Sequence, residues 1–147
     1  MNTVPLAFAE AAAMIAKAEF PLIVTSTIGR DPEAVIELGK LAAEFAIPVV
    51  QTEARDFNLP TDHPMHLGFE AGPWVKKADV VIVLDCVIPW IPATGGPRRD
   101  AKIINISNDP LTTRYPFKEI EADLLVQGDP CAALRLLREA LGATGKA

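Results

Sequence analysis

The chain has 147 residues, half of them hydrophobic and 22% charged, which matches one globular domain with a full core over residues 1–147. Its net charge of −5 and its scattered basic residues argue against a phosphate-binding face, so we expect no nucleic-acid partner. Two cysteines predict neither a disulfide framework nor a metal cluster, and a cytoplasmic location fits best.

The first predicted elements are a helix, a strand and a second helix. Residues 8–19 are rich in alanine and predict the first helix. The stretch around it contains Glu10 and has no basic leader, which argues against a signal peptide and a membrane span. Residues 21–26 predict strand one, and Asp31 with Pro32 predicts the capped start of the second helix. The buried stripe of that helix is expected at Val35, Leu38, Ala42 and Phe45.

Strand two is predicted at residues 47–52 and is followed by a long loop. Residues 53–73 are rich in Asp, Asn, Pro, His and Gly, and within them only residues 65–69 can form a short third strand. Residues 72–77 predict at most a short helix before the next strand.

The central strand of the pattern lies at residues 80–84. Its five aliphatic residues show no polar alternation, which predicts a strand covered on both faces inside a parallel sheet. Two prolines in residues 87–92 prevent further pairing, so the strand is expected to end near Asp85. We expect Trp90 and its apolar neighbours to dock against another domain or to close over the ligand crevice of the sheet, because exposed apolar clusters mark interfaces. The alternative is that Trp90 stacks on a ligand.

Two more strands are predicted at residues 102–107 and 124–127. An Asp-Pro pair follows each of them, at Asp109 and at Asp129, and repeats the capping pattern seen at Asp31. The last pair opens a final helix whose inward residues are expected to be Leu134, Leu137 and Leu141.

These elements predict a three-layer, Rossmann-like, doubly wound α/β fold. Its parallel sheet would have about six strands in the order 3-2-1-4-5-6. Strand one then lies beside the central strand, and ligands of such sheets bind where the strand order reverses. Residues 25–29 and 85–89 would line this crevice, which could hold a nucleotide or another flat ligand, or be empty.

Motifs that would assign chemistry are weak. The dinucleotide fingerprint needs three glycines and only Gly29 is present, while the phosphate loop ending in Gly-Lys-Ser or Gly-Lys-Thr is absent. The proline between His63 and His66 disfavours the helix that would align them on a metal, so we expect them to pack in a loop. Asp85 could bind a ribose or act as a base, although backbone amides are its more usual partners, and Cys86 has no adjacent histidine. We expect no catalytic residue and no metal ligand in this chain.

Six segments, in the same order, carry a family resemblance that covers essentially the whole chain. Together they resemble the central domain of thiamine diphosphate-dependent enzymes, and they look closest to the acetolactate synthase-like branch. The segments are residues 19–24, 47–50, 61–64 with Leu67 and Gly68, 78–83, 104–110, and Gly128 with Asp129.

The resemblance implies that this chain is one part of a larger enzyme. In such enzymes a separate domain with a Gly-Asp-Gly motif and later asparagines holds thiamine diphosphate and magnesium, and another domain supplies the activating glutamate. Gly128 and Asp129 are followed by proline, which departs from that metal motif. The resemblance therefore implies an excised central domain or a separate subunit that is inactive alone, with the missing catalytic domains as partners, in a homo-oligomer.

The resemblance also raises a second hypothesis, a ligand-binding module. Some relatives bind FAD, an adenine nucleotide or coenzyme A in this domain, and others leave it empty. Flavin-binding relatives have a glycine-rich turn after strand one and an Arg-Phe-Asp segment after strand four, which residues 25–29 and 85–90 do not reproduce. A free-standing oxidoreductase is a third reading. The residues that match ligand-facing stretches of relatives, and so the implied cofactor-binding residues, are Gly29, Leu67, Gly68 and Asp109.

Overall fold

The structure, a computed structural model, describes residues 6–25, 31–51, 63–68, 72–84, 97–98, 100–107 and 123–144. Within these ranges lie five strands: β1 Pro21–Thr25, β2 Val49–Gln51, β3 Val80–Leu84, β4 Lys102–Ser107 and β5 Leu124–Gln127. The helices are α1 Leu6–Lys17, α2 Pro32–Phe45, α3 Gly72–Val75 and α4 Pro130–Ala143.

All five strands are parallel and form one sheet in the order β2-β1-β3-β4-β5. The register aligns Ile23, Ile82 and Ile104 across the three middle strands. As the sequence predicts, strand one lies directly beside the central strand, which is β3. The α/β, doubly wound parallel sheet expected from the sequence is therefore present.

The predicted third strand differs from expectation. Of residues 65–69, the described ones form a single parallel bridge, between His66 and Val49 of β2, and Phe69 lies outside the described residues. Gly68 has a φ of 103°, which is not the extended backbone of a strand. The segment therefore occupies the edge position next to β2 without continuing as a regular strand.

The first face of the sheet packs against α1, α2 and α4. Alternate strand residues such as Ile23, Ile82 and Ile104 point to this side and are almost completely buried. As predicted, Leu134, Leu137 and Leu141 of α4 are buried in the same cluster. Burial of this apolar surface stabilises the fold by about 25 cal/mol per Å².

The buried stripe of α2 is wider than its sequence period suggests. Leu38, Ala42 and Phe45 are buried as predicted, but Val35 is only half-buried, and Ala34, Glu37 and Leu41 are buried instead. The reason is that α2 packs against α4 as well as against the sheet, since Arg135 and Arg138 of α4 reach Glu37.

The second face carries a smaller cluster. It contains the other strand residues, among them Leu22, Val24, Val81 and Val83, together with Val75 of α3. Phe20 and Trp74 pack against its margin with their rings stacked at a centroid distance of 6.5 Å.

Two of the three predicted Asp-Pro caps are confirmed. Asp31 Oδ1 accepts a hydrogen bond from Glu33 N at 3.0 Å, and Asp129 Oδ2 accepts one from Ala132 N at 3.1 Å. In both helices the following proline lies at the first helical positions, where its missing N–H has no cost. The third pair, at Asp109, lies outside the described residues. Within the described ranges, no helix has the length and hydrophobicity needed to cross a membrane.

Candidate functional site

The predicted crevice lies where β1 and β3 end side by side. Thr25, the last residue of β1, is in register with Leu84 of β3 and with Gln51 of β2. Thr25 and Gln51 are the buried polar residues at this edge, and the hydroxyl of Thr25 has no hydrogen-bond partner among the described residues. The structure thus confirms the strand arrangement that would form a crevice.

Most residues predicted to line this crevice fall outside the described part of the chain. These are residues 26–29 and 85–89, and two further predicted residues, Trp90 and Asp109, also lie outside the described part. Their proposed roles stay predictions.

Leu67 and Gly68, the two described residues of the predicted ligand-binding set, lie on the far side of β2 from the crevice. Leu67 N donates to Val49 O at 2.8 Å, and Gln51 N donates to Gly68 O at 3.0 Å. Neighbouring strands are about 4.8 Å apart, so these residues lie roughly 10 Å from β1. Leu67 is half-buried against the second-face cluster, which gives it a packing role at this position.

His63 and His66 make hydrogen bonds within their loop and to α2. His63 Nε2 lies 3.1 Å from Gly39 O, and its Nδ1 accepts from Met65 N at 3.1 Å. His66 Nδ1 accepts from Gly68 N at 2.9 Å. These contacts agree with the predicted loop-packing role, because three of the four ring nitrogens lie at hydrogen-bonding distance from main-chain atoms.

A buried carboxylate links α2 and α4. Glu37 is almost fully buried, yet its oxygens lie 3.2 Å from Arg138 Nη1 and 3.5 Å from Arg135 Nε. Lys40 approaches it at 4.0 Å, and Glu33 meets Arg135 at 3.5 Å. Sequence reasoning did not single out Glu37, since a helical Glu next to Leu38 resembles an ordinary surface residue until α4 is placed beside it.

Asp79, whose role the sequence did not predict, joins the N-terminal ends of β1 and β3, at the opposite end of these strands from the crevice. Its Oδ2 accepts from Glu19 N at 2.7 Å and its Oδ1 from Phe20 N at 2.9 Å. Burial alone would raise the pKa of Asp79, but hydrogen bonds from the amides of Glu19, Phe20 and Asp79 itself, with the charge of Arg98, lower the pKa below its usual value. The contact joins residues 59 and 60 positions apart, so no local pattern could reveal it.

Asp31, Asp129 and Cys131 converge at the starts of α2 and α4, with ligand atoms within 4.8 Å of one another. Both carboxylates already cap helices. Burial raises the pKa of the Cys131 thiol, with the positive charge of Arg135 opposing that shift and nearby carboxylates adding to it. A protonated thiol is neither a good nucleophile nor a good metal ligand, so this cluster is best explained by capping and packing.

Comparison with known proteins identifies relatives of one kind. Residues 8–137 match a family described as "Thiamine pyrophosphate enzyme, central domain". The chain is 34% identical over 147 residues to a probable acetolactate synthase large subunit of Methanocaldococcus jannaschii, covering 93% of this chain and 24% of that protein.

Solved structures give the same fold. A putative thiamin diphosphate-dependent enzyme from Mycobacterium smegmatis superposes with a TM-score of 0.73 at 22% identity, over 91% of this chain and 27% of that one. Benzoylformate decarboxylase from Polynucleobacter necessarius gives a TM-score of 0.74 at 21% identity, over 93% and 27%. The chain thus spans about a quarter of the length of the relatives it matches.

Proposed function

Because the chain belongs to the family of thiamine pyrophosphate (thiamine diphosphate) enzyme central domains, we propose that it is the non-catalytic central domain of an acetolactate synthase-like carboligase or decarboxylase. In this role it holds the catalytic domains of the same enzyme in position. The observation that carries the proposal is the family match over residues 8–137 of a chain that spans only about a quarter of its relatives.

The described residues do not fit a site for thiamine diphosphate and magnesium. Among the described residues, the group whose possible metal-ligand atoms converge is Asp31, Asp129 and Cys131, and both of its carboxylates already cap helices. The buried Glu37 is held by two arginines. We therefore assign the cofactor and its magnesium to the other domains of the enzyme. Thiamine diphosphate would supply the carbanion chemistry there, and this chain would supply a rigid platform.

The rigidity of that platform comes from packing. The sheet is buried on both faces, and α2 and α4 are joined by the ion pairs of Glu37. Such a domain can keep neighbouring domains at fixed distances without contributing a reacting group.

The comparisons give no support to the alternative of a free-standing module for FAD, an adenine nucleotide or coenzyme A. Any ligand contact through Gly29, Leu67, Gly68 or Asp109 stays a prediction. It can be measured by calorimetric titration of the chain with FAD, ADP and coenzyme A, where we expect no saturable heat.

A domain exchange tests the main proposal. The central domain of the M. jannaschii acetolactate synthase-like protein is replaced by residues 8–137 of this chain, and acetolactate formation from pyruvate is measured with thiamine diphosphate and magnesium. We expect the chimera to fold and to retain activity, whereas the chain alone forms no acetolactate and decarboxylates no 2-oxoacid. Turnover by the chain alone would contradict a non-catalytic role.

We further propose that the parent enzyme is a cytoplasmic homo-oligomer in which the Trp90 loop contacts another domain or subunit. Light scattering of the chimera, with and without Trp90→Ala, tests the loop. We expect the variant to associate more weakly while its circular dichroism stays unchanged.

A further inference from the structure

Residues 63–68, which we name the edge segment, run along the outer edge of β2. Met65 O accepts from Val49 N at 2.8 Å, Val49 O accepts from Leu67 N at 2.8 Å, and Gly68 O accepts from Gln51 N at 3.0 Å. These bonds satisfy the main chain of β2 on the side away from β1. Without the edge segment, that side of β2 would present unpaired N–H and C=O groups.

The His63 ring ties the edge segment to α2. Its Nδ1 accepts the N–H of Met65, so in this arrangement the proton of the neutral ring lies on Nε2 and is donated to Gly39 O of α2 at 3.1 Å. Both bonds exist only in this one neutral tautomer. A second proton, on Nδ1, would point at the amide N–H of Met65.

The His66 ring fixes the end of the edge segment in the same way. Its Nδ1 accepts the N–H of Gly68 at 2.9 Å, which holds Gly68 at a φ of 103° and directs Gly68 O toward Gln51 N. Protonation at Nδ1 would again replace an acceptor by a donor and break this bond.

From these contacts we propose that the edge segment is a pH-operated latch: His63 and His66 hold it against β2 and α2 while both rings are neutral, and protonation of the rings releases it. Release uncovers the main chain of β2 and withdraws half-buried Leu67 from the second-face cluster. The sheet itself stays folded, because β1, β3 and β4 do not depend on this edge.

The surroundings of His66 favour its neutral ring. Burial is the larger cause that lowers the pKa of His66, and the charge of the neighbouring His63 lowers it further. On the elements packed against the segment, β2 carries no charged side chain, and α2 carries Lys40 next to Gly39 as well as Glu33, Glu37 and Glu44. Glu37 and Glu33 are engaged with arginines of α4. Asp62, which precedes His63, lies outside the described residues.

The sign of the pH dependence follows from this lowered pKa. The folded form of His66 binds a proton less readily than the unfolded form, so its contribution is complete above the ordinary histidine pKa of about 6.5. It is lost as the pH falls through the lowered value. Release is therefore expected in mildly acidic solution.

Amide hydrogen exchange measured by NMR on the 147-residue chain tests the latch. Rates are taken at pH 7.5 and 5.0 and divided by intrinsic rates. We expect the protection of the Val49, Gln51, Leu67 and Gly68 amides to fall about tenfold or more at the lower pH, as expected for lost hydrogen bonds. The amides of Ile82 and Ile104 should keep theirs. These are the chain's only two histidines, so their ring signals give both titration midpoints directly.

Unchanged protection while both rings titrate would overturn the proposal, and so would an equal loss at Ile82 and Ile104, which would mean general acid unfolding. The double variant His63→Asn/His66→Asn sharpens the test, because a carboxamide oxygen can accept the same N–H groups without titrating. We expect its protection to be independent of pH. Should it fail to fold, His66→Asn alone is read at the Gly68 amide, where we expect a smaller pH-dependent loss than in the wild type because only His63 still titrates. A loss of the wild-type size would refute the latch.

Discussion

The two faces of the sheet are stabilised in different ways. On the first face, three helices lay regular apolar stripes over the strands, and α2 and α4 start at similar Asp-Pro caps. On the second face, the helix within the described residues is α3, a single turn in which Trp74 stacks on Phe20. Periodic packing spreads stability over many residues, whereas the described part of the second face depends on a few specific contacts.

The largest expected effect comes from the first face. Leu137→Ala removes a side chain that is 1% exposed between α4 and the core, and we expect a loss of about 3 kcal/mol in the free energy of unfolding. Urea denaturation measures it. The adjacent Leu136 is only partly buried and provides the matched control, since Leu136→Ala should cost clearly less. Equal losses would mean that the packing of α4 is not directional.

Trp74→Ala is expected to cost less, about 2 kcal/mol, because Trp74 is half-buried at the margin of its cluster. The loss should include the stacking on Phe20, so Trp74→Phe, which keeps an aromatic ring, should recover part of it. Lys77→Ala removes a cation that lies 5.1 Å from the Trp74 ring and should change stability by only about 0.5 kcal/mol. A Trp74→Ala loss as small as that of Lys77→Ala would show that α3 does not anchor the second face.

Asp79→Asn tests the contact that holds Phe20 in place for this stacking. An amide group can accept only one of the two N–H bonds and turns its own N–H₂ toward the other, so we expect a loss of about 1.5 kcal/mol at pH 7.

The pH dependence of this loss has a definite sign. Because the pKa of Asp79 is lowered in the fold, its stabilisation is complete above the ordinary aspartate pKa of about 3.9 and disappears as the pH falls through the lowered value. The stability difference between wild type and Asp79→Asn should therefore be constant near neutrality and shrink below about pH 4. A difference that persists undiminished at the lowest pH at which the chain stays folded would assign the effect to packing and not to charge.

What could be predicted from the sequence depends on how far apart in the chain the interacting residues lie. β4 and β5 have the predicted bounds, and the caps at Asp31 and Asp129 are confirmed, because both depend on residues that are neighbours in the chain. Glu37 and Asp79 escaped prediction, because their partners lie about 100 and 60 residues away. The third strand was overpredicted, since apolar residues after His63 suggest a strand while the backbone at Gly68 turns out of it.

The candidate site could be predicted less completely from the sequence than the fold. The sequence predicted that β1 and β3 end together, and the register of Thr25 with Leu84 agrees. The predicted order 3-2-1-4-5-6 also places residues 65–69 beside strand two, and the structure has Leu67 and Gly68 there. That position is on the far side of β2 from the crevice, so the predicted ligand-binding role of these two residues and the predicted strand order do not fit together. The roles of Gly29 and Asp109 stay predictions, as both lie outside the described residues.

The smallest predicted effect concerns the backbone strain at the C-terminal end of α2, on the first face of the sheet. Ala46, the C-cap of α2, has φ 53° and ψ 49°, the left-handed conformation that costs an L-residue about 1 kcal/mol and glycine almost nothing. Ala46 is exposed, so no packing is lost on substitution, although glycine gains more freedom in the unfolded chain. We expect Ala46→Gly to stabilise the chain by about 0.5 kcal/mol in urea denaturation. The exposed Ala43, inside the same helix, is the matched control, because Ala43→Gly should destabilise by about 1 kcal/mol. A loss of stability in both variants would mean that the strain at Ala46 is smaller than the entropy that glycine adds to the unfolded chain.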